Sequence, residues 1–133
     1  MEKTAAYLIV GLGSALGGMS RLWLTGFVVR RAGETFPWAT LMANVSGSLI
    51  IGVLAALVGP ESRLNPKVHP FVLQFFMIGV CGGYTTFSSF SLQTLQLLRD
   101  GQMINAGFNA VLSVALCLVA VWIGYLIGQA VNR

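Results

Sequence analysis

The amino-acid sequence predicts an all-α membrane protein with four transmembrane helices, the third of which is broken near the middle of the membrane. Three observations predict this fold class. The 133 residues are 56% hydrophobic, only 9% of them are charged, and the charged ones lie at the ends of long apolar runs. Soluble domains carry roughly 25% charged residues, and an unpaired charge in hydrocarbon is costly. A soluble globular fold is therefore excluded.

Each apolar run exceeds the roughly 20 residues that a helix needs to cross a bilayer. The predicted spans are residues 4–29, 37–59, 70–98 and 103–131, within a single transmembrane domain of residues 1–133. The connectors are too short to hold a soluble domain. A cleaved signal peptide is not expected, because Glu2-Lys3 is a weak basic start and no small-residue cleavage site follows. We therefore expect the protein to act inside the bilayer.

The basic residues do not favour one side of the membrane, although Lys and Arg usually accumulate on the cytoplasmic side. One side would carry Lys3, Arg63, Lys67 and Arg133. The other would carry Arg30, Arg31 and Arg99, joined by Arg21 if its side chain reaches outward. Either one or two loops or a partner protein decides the topology, or copies insert both ways. Since four helices are few for a transport path and no internal repeat is visible, we expect an antiparallel homodimer of eight helices.

The second span carries three polar residues, Thr40, Asn44 and Ser48, spaced four apart so that they share one face. An Asn amide in hydrocarbon needs a partner, and a hydrogen bond to another helix is a common one. A stripe of three polar side chains also suits a path in which an ion exchanges water for side-chain dipoles. The sequence leaves both interpretations open.

The third span is too long for one straight helix. Its uncharged run of about 31 residues would extend roughly 47 Å, against about 30 Å of hydrocarbon. Near its middle lies Gly-Gly-Tyr-Thr-Thr-Phe-Ser-Ser-Phe-Ser, residues 82–91, which is rich in poor helix formers. A break there would leave carbonyl oxygens free to bind a cation and amides free to meet an anion.

Two aromatic residues follow the predicted break. Phe87 and Phe90 are three apart and share a face, next to the hydroxyls of Ser88 and Ser91. Phe in a membrane helix usually faces lipid or fills the core. Among hydroxyl groups, however, the positive ring edges are able to stabilise a small anion without a fixed charge.

The string at residues 82–91 resembles the Gly-Gly-x-Thr-Thr-Phe-Ser-Thr-Phe-Ser motif of the Fluc family of fluoride channels. Thr40-Leu-Met-Ala-Asn44 and Gly17-Gly-Met-Ser-Arg21 support the resemblance, which covers essentially the whole chain. It implies an antiparallel homodimer in the bacterial inner membrane, with two pores that pass fluoride passively out of the cytoplasm and so reduce its toxicity. Ser89 departs from the family pattern, which usually has Thr there.

The resemblance also implies roles for particular residues. Phe87 and Phe90 would be the pore aromatics, and Asn44 the amide donor. The polar track would use Thr40, Ser88, Ser89 and Ser91. The carbonyls of Gly82 and Thr85 from both subunits would hold a structural Na⁺, and Arg21 would lie at a water-filled vestibule.

Other functions fit the sequence less well. A small multidrug exporter of the proton-coupled type also has four helices, but that class depends on a Glu in the first helix, and residues 4–29 contain none. A non-transporting assembly subunit would not explain why the spans contain polar residues. The basic residues are too scattered for a nucleic-acid partner. No enzyme is predicted, because no nucleophile with a base, phosphate loop or cofactor motif is present. Cys81 and Cys117, which lack metal or redox spacing, are expected to be free buried thiols.

Overall fold

In a computed structural model, the described part of the chain comprises residues 2–59, Ser62 and residues 70–132. Helix α1 is Glu2–Ala32 and α2 is Trp38–Val58. Helix α3 runs through Pro70–Leu73, the π-helical stretch Gln74–Cys81 and Gly82–Tyr84 in direct succession. Helix α4 is Phe87–Arg99 and α5 is Met103–Val131.

Among the described residues, four stretches are long and apolar enough to cross a membrane: Lys3–Ala32, Trp38–Val58, Pro70–Arg99 and Met103–Val131. These agree with the four predicted spans to within a few residues at each end, and the residues described contain no strand. The predicted fold class is confirmed. Arg63, Lys67 and Arg133, which belong to the predicted charge balance, lie outside the described residues.

The helices associate in two closely packed pairs, α1 with α3 and α2 with α5, and α4 lies against α5. Small residues allow these approaches. A Cβ atom at Gly13 of α1 would lie 2.6 Å from the carbonyl oxygen of Phe75 in α3. In the other pair, a Cβ atom at Gly124 of α5 would overlap the carbonyl oxygen of Leu49 in α2. The glycines of the spans therefore bring helix backbones into direct contact.

The third span is interrupted at Thr85 and Thr86, which have extended backbones (φ −85°, ψ 159° and φ −155°, ψ 115°). The predicted break within residues 82–91 is confirmed, and it falls at the two threonines. Gly82 stays helical, and Gly83 serves packing instead, because a Cβ atom there would overlap the backbone of Ser14 in α1. The π-helical turns before the break are a rare conformation that occurs frequently at functional sites.

Candidate functional site

The break is held by a side chain from another helix. Asn44 of α2 donates its Nδ2 to the carbonyl oxygen of Thr86 at 3.0 Å, and its Oδ1 accepts the Thr86 amide at 2.7 Å. An amide side chain has two N–H donors, so one of them remains beyond these two bonds. Asn44 therefore makes the interhelical hydrogen bond that one interpretation of the sequence expects, and it keeps a donor for a further ligand.

The carbonyl groups that lose their helical partners at the break include those of Gly82 and Thr85. In a continuous helix the carbonyl of residue i accepts from the amide of residue i+4, so Gly82 would accept from Thr86 and Thr85 from Ser89. The Thr86 amide goes to Asn44 instead, and the Ser89 amide goes to the hydroxyl of Thr86 at 3.1 Å. The carbonyls of Gly82 and Thr85 are the same two that the family resemblance assigns to a cation.

The same break exposes the positive end of a helix within the third span. Helix α4 begins at Phe87, and its first amides have no acceptor within the helix. The Thr86 hydroxyl satisfies the Ser89 amide and also lies 3.2 Å from the hydroxyl oxygen of Ser88. A helix N-terminus carries partial positive charge, so this end of α4 favours an anion.

A cavity of about 400 Å³ lies beside the break, between α2, α3, α4 and α5. Asn44, Thr85, Thr86, Phe87 and Phe90 all line it, together with Gly82. The lining contains no Asp, Glu, Lys, Arg or His. The lining is mostly apolar and its few polar groups are neutral amides and hydroxyls, so no carboxylate opposes a small anion there.

The two phenyl rings form one side of this cavity. Their centroids are 5.3 Å apart and their planes are inclined by 50°. Phe87 is 76% exposed in the single chain, whereas Phe90 is half-buried. The rings are thus neighbours at the cavity mouth, which agrees with the predicted placement of both on one helical face.

Other predicted site residues lie outside the cavity lining. Thr40 is half-buried on α2, one helical turn before Asn44. Ser88 and Ser91 are exposed and Ser89 is half-buried on α4, and the Ser91 hydroxyl donates to the carbonyl oxygen of Phe87 at 2.9 Å. The polar track that the resemblance implies for these four residues stays a prediction.

Arg21 does not line the cavity beside the break and is half-buried on α1. Its neighbours Ser20 and Leu24 line a separate surface groove of about 450 Å³ together with Tyr84 of α3. The Tyr84 hydroxyl is in turn hydrogen-bonded to that of Ser46 on α2 at 2.9 Å. The structure thus places Arg21 beside a second groove, and its vestibule role stays a prediction.

Sequence reasoning missed a buried polar network between α4 and α5. Asn109 is 2% exposed and donates its Nδ2 to the Thr94 hydroxyl at 2.9 Å. Thr94 donates to the carbonyl oxygen of Phe90 at 2.8 Å, and Ser113 in the cavity wall donates to Asn109 Oδ1 at 3.4 Å. The sequence signal for this network was the spacing of four residues along α5, which puts Asn109, Ser113 and Cys117 on one face of the helix. The same spacing puts Asn44 and Ser48 on one face of α2.

The fold and this cavity define a multi-pass helical membrane protein whose candidate site is built from uncharged donors around a broken helix. The profile of the family described as "CrcB-like protein, Camphor Resistance (CrcB)" matches residues 8–125. The chain therefore belongs to the CrcB family, and it is a multi-pass protein of the bacterial cell membrane.

Similar proteins cover nearly the full chain. A protein of Methylocella silvestris named "Fluoride-specific ion channel FluC" is 54% identical over 127 residues, which are 96% of this chain and 95% of the relative. A protein of the same name from Rhodospirillum rubrum is 50% identical over 127 residues, 96% of this chain and 97% of its own. These matches confirm the resemblance to the Fluc family that the motif at residues 82–91 indicates.

Proposed function

We propose that this protein is a fluoride-selective channel that lets fluoride leave the cytoplasm passively and so lowers its toxicity. The observation that carries the proposal is the break at Thr85 and Thr86, where a helix N-terminus, the spare N–H of Asn44 and two phenyl rings meet at one neutral cavity. The names of the relatives from Methylocella silvestris and Rhodospirillum rubrum support the same ion. The protein is accordingly a transporter and has no enzymatic activity.

The physical basis is replacement of lost hydration. Fluoride is small and tightly hydrated, so a narrow path must offer several close donors in place of water. Asn44 and the amides of the first α4 turn provide such donors, and the ring edges of Phe87 and Phe90 add positive quadrupole density. The hydroxyls of Thr40, Ser88, Ser89 and Ser91 extend the path. Preference for fluoride over chloride then comes from confinement rather than from a fixed charge.

The proposal includes an antiparallel homodimer with two pores, each lined by both subunits. The cavity beside the break is only partly enclosed by the single chain. Gly82 is exposed there, and a Cβ atom built on it would meet nothing within 4 Å. A second copy packed against this face would close the cavity, and an opposed orientation agrees with the balanced basic residues of the sequence. Arg21 would then lie at the mouth of a vestibule.

A structural Na⁺ belongs to the same proposal. The carbonyl oxygens of Gly82 and Thr85 fit this ion, because hard cations bind oxygen ligands and both carbonyls have lost their helical donors to Asn44 and Thr86. Two copies would bring four such oxygens to the dimer centre. The ion would offset the partial negative charge of these carbonyl oxygens and would link the broken helices of the two subunits.

The proposed function is tested with the purified chain in liposomes loaded with potassium fluoride. An electrogenic channel releases fluoride quickly only after a potassium ionophore is added, because the ionophore removes the opposing voltage. Fluoride release that needs no ionophore but follows an imposed proton gradient would contradict a channel and favour a proton-coupled exporter. No carboxylate lines the cavity, so we expect the first outcome.

A further inference from the structure

Three sulfur-containing side chains line the cavity beside the break. Met77 and Cys81 lie four residues apart on α3, and Cys117 lies on α5, which forms another wall. Both cysteines are free thiols. Neither thiol has a part in the fluoride path proposed above, and the two line the same cavity from different helices.

The chemistry of this lining selects soft metal ions. Thiolate and thioether ligands favour soft ions such as Cu⁺, whereas Mg²⁺ and Ca²⁺ require oxygen ligands that are usually carboxylates. The 15 lining residues include no carboxylate and no imidazole. A hard divalent cation would therefore find no charged ligand there, and a soft ion would find three sulfur donors.

Charge balance also favours a soft ion in this apolar setting. When Ag⁺ binds a thiol, the S–H bond breaks, an S–Ag bond forms and the proton leaves to water, with no change in oxidation state. The site is neutral before and after this exchange. The second thiol and the thioether complete the coordination as neutral donors, so no uncompensated charge is buried.

We propose that Cys81, Cys117 and Met77 form a binding site for a soft monovalent metal ion such as Ag⁺ or Cu⁺ inside this cavity. The site is coupled to the break, because the Cys81 carbonyl oxygen accepts both the Thr85 amide at 3.0 Å and the Thr85 hydroxyl at 2.9 Å. A bound ion is therefore attached to the last turn before the break. If the proposed fluoride function holds, the bound ion obstructs the path and stops fluoride release.

Binding is tested first, without any flux measurement. The full chain in detergent is titrated with Ag⁺ by calorimetry in chloride-free buffer, and silver X-ray absorption identifies the ligand atoms. We expect one Ag⁺ per chain bound through sulfur, and at least tenfold weaker binding in Cys81→Ser/Cys117→Ser and in Cys81→Ala/Cys117→Ala. Met19→Leu and Met103→Leu change exposed methionines on outer faces and should bind like the parent chain. Unchanged Ag⁺ affinity in folded double variants would overturn the proposal.

Block is tested second, in fluoride-loaded liposomes, with each variant compared with its own rate before Ag⁺ is added. Ag⁺ should slow release at least tenfold in the parent chain, a dithiol chelator should restore it, and the double variants should resist. If fluoride does not move even without Ag⁺, the proposed function fails while the calorimetry still decides the metal site. If fluoride moves normally and Ag⁺ neither binds through sulfur nor blocks, the metal site is wrong and the channel stands.

Discussion

The side chain of Asn44 is hydrogen-bonded to both main-chain groups of Thr86, a residue 42 positions further along the chain. By accepting the Thr86 amide, Asn44 occupies the donor that would otherwise continue the third helix to the carbonyl of Gly82. One side chain of α2 therefore stabilises the broken form of the neighbouring helix. This bond confirms the interhelical interpretation of Asn44, and its place in an ion path stays a prediction.

Replacing Asn44 should damage both the fold and the flux. In Asn44→Ala the main-chain groups of Thr86 lose their partners, which costs about 1–3 kcal/mol. In Asn44→Asp the amide is still accepted, but a carboxylate faces the Thr86 carbonyl and repels an anion. We expect a lower unfolding temperature for the Ala variant and loss of fluoride release for both variants.

Asn105→Ala is the matched control, because Asn105 is exposed and, among the described residues, its side chain bonds only to that of nearby Gln102. Its unfolding temperature and fluoride release should stay close to those of the parent chain. Fluoride release at the parent rate in Asn44→Asp would contradict the assigned donor role.

Phe87→Ile should slow fluoride release at least tenfold, which corresponds to an increase of about 1.4 kcal/mol in the activation free energy of permeation. The change keeps an apolar side chain at a position that is 76% exposed in the single chain but removes the ring edge. Phe108→Ile is the control, since Phe108 is 61% exposed on α5 and lies outside the cavity of the break. Release rates in liposomes that fall equally for both variants would show that the ring at Phe87 has no special role.

The buried network on α5 predicts unequal effects for two similar substitutions. The hydroxyls of Thr94 and Thr25 both donate to the carbonyl four residues earlier, but only that of Thr94 also accepts from Asn109. Thr94→Val leaves the Asn109 amide unpaired and should cost about 1–3 kcal/mol, whereas Thr25→Val should cost about 0.5–1.5 kcal/mol.

Thermal unfolding of the two variants in detergent measures this difference. The Thr94 variant should unfold several degrees lower than the Thr25 variant. Equal unfolding temperatures would mean that Asn109 finds another partner and that the network adds no stability.

Removal of Na⁺ should weaken the proposed dimer centre. A ligand that binds only the folded state raises the free energy of unfolding by mass action. Without the ion, the carbonyls of Gly82 and Thr85 would lack a partner, because the amides that would bond to them in a helix are bound elsewhere. We expect a lower unfolding temperature and slower fluoride release when Na⁺ is replaced by a large organic cation throughout purification and reconstitution. Identical unfolding and release with and without Na⁺ would contradict the cation site.

The existence of the break could be predicted from the sequence, but its mechanism could not. The uncharged run before Arg99 is too long for the bilayer, and residues 82–91 are poor helix formers. The glycines of that string nevertheless remain helical, and the chain leaves the helix at Thr85 and Thr86. The reason is a long-range contact with Asn44 and a local cap by the Thr86 hydroxyl, neither of which a helix propensity describes.

The candidate site was predicted unevenly for a similar reason. Asn44, Phe87 and Phe90 were identified through motif and spacing, and all three line the cavity. Asn109 was missed because the spacing of Asn109 and Ser113 shows that they share a face of α5 but not which helix that face contacts. Its hydrogen bond to Thr94 depends on how α5 packs against α4 after the turn that joins them, and only the three-dimensional structure provides that geometry.

Recording single-protein currents across a planar bilayer tests the central claim most directly. With different fluoride concentrations on the two sides and equal chloride, the current should reverse at the equilibrium potential of fluoride. Replacing chloride or changing the proton gradient should leave that potential unchanged, since the proposed path admits the small anion by confinement and excludes chloride and protons. A reversal potential that follows chloride, protons or Na⁺ would contradict the account.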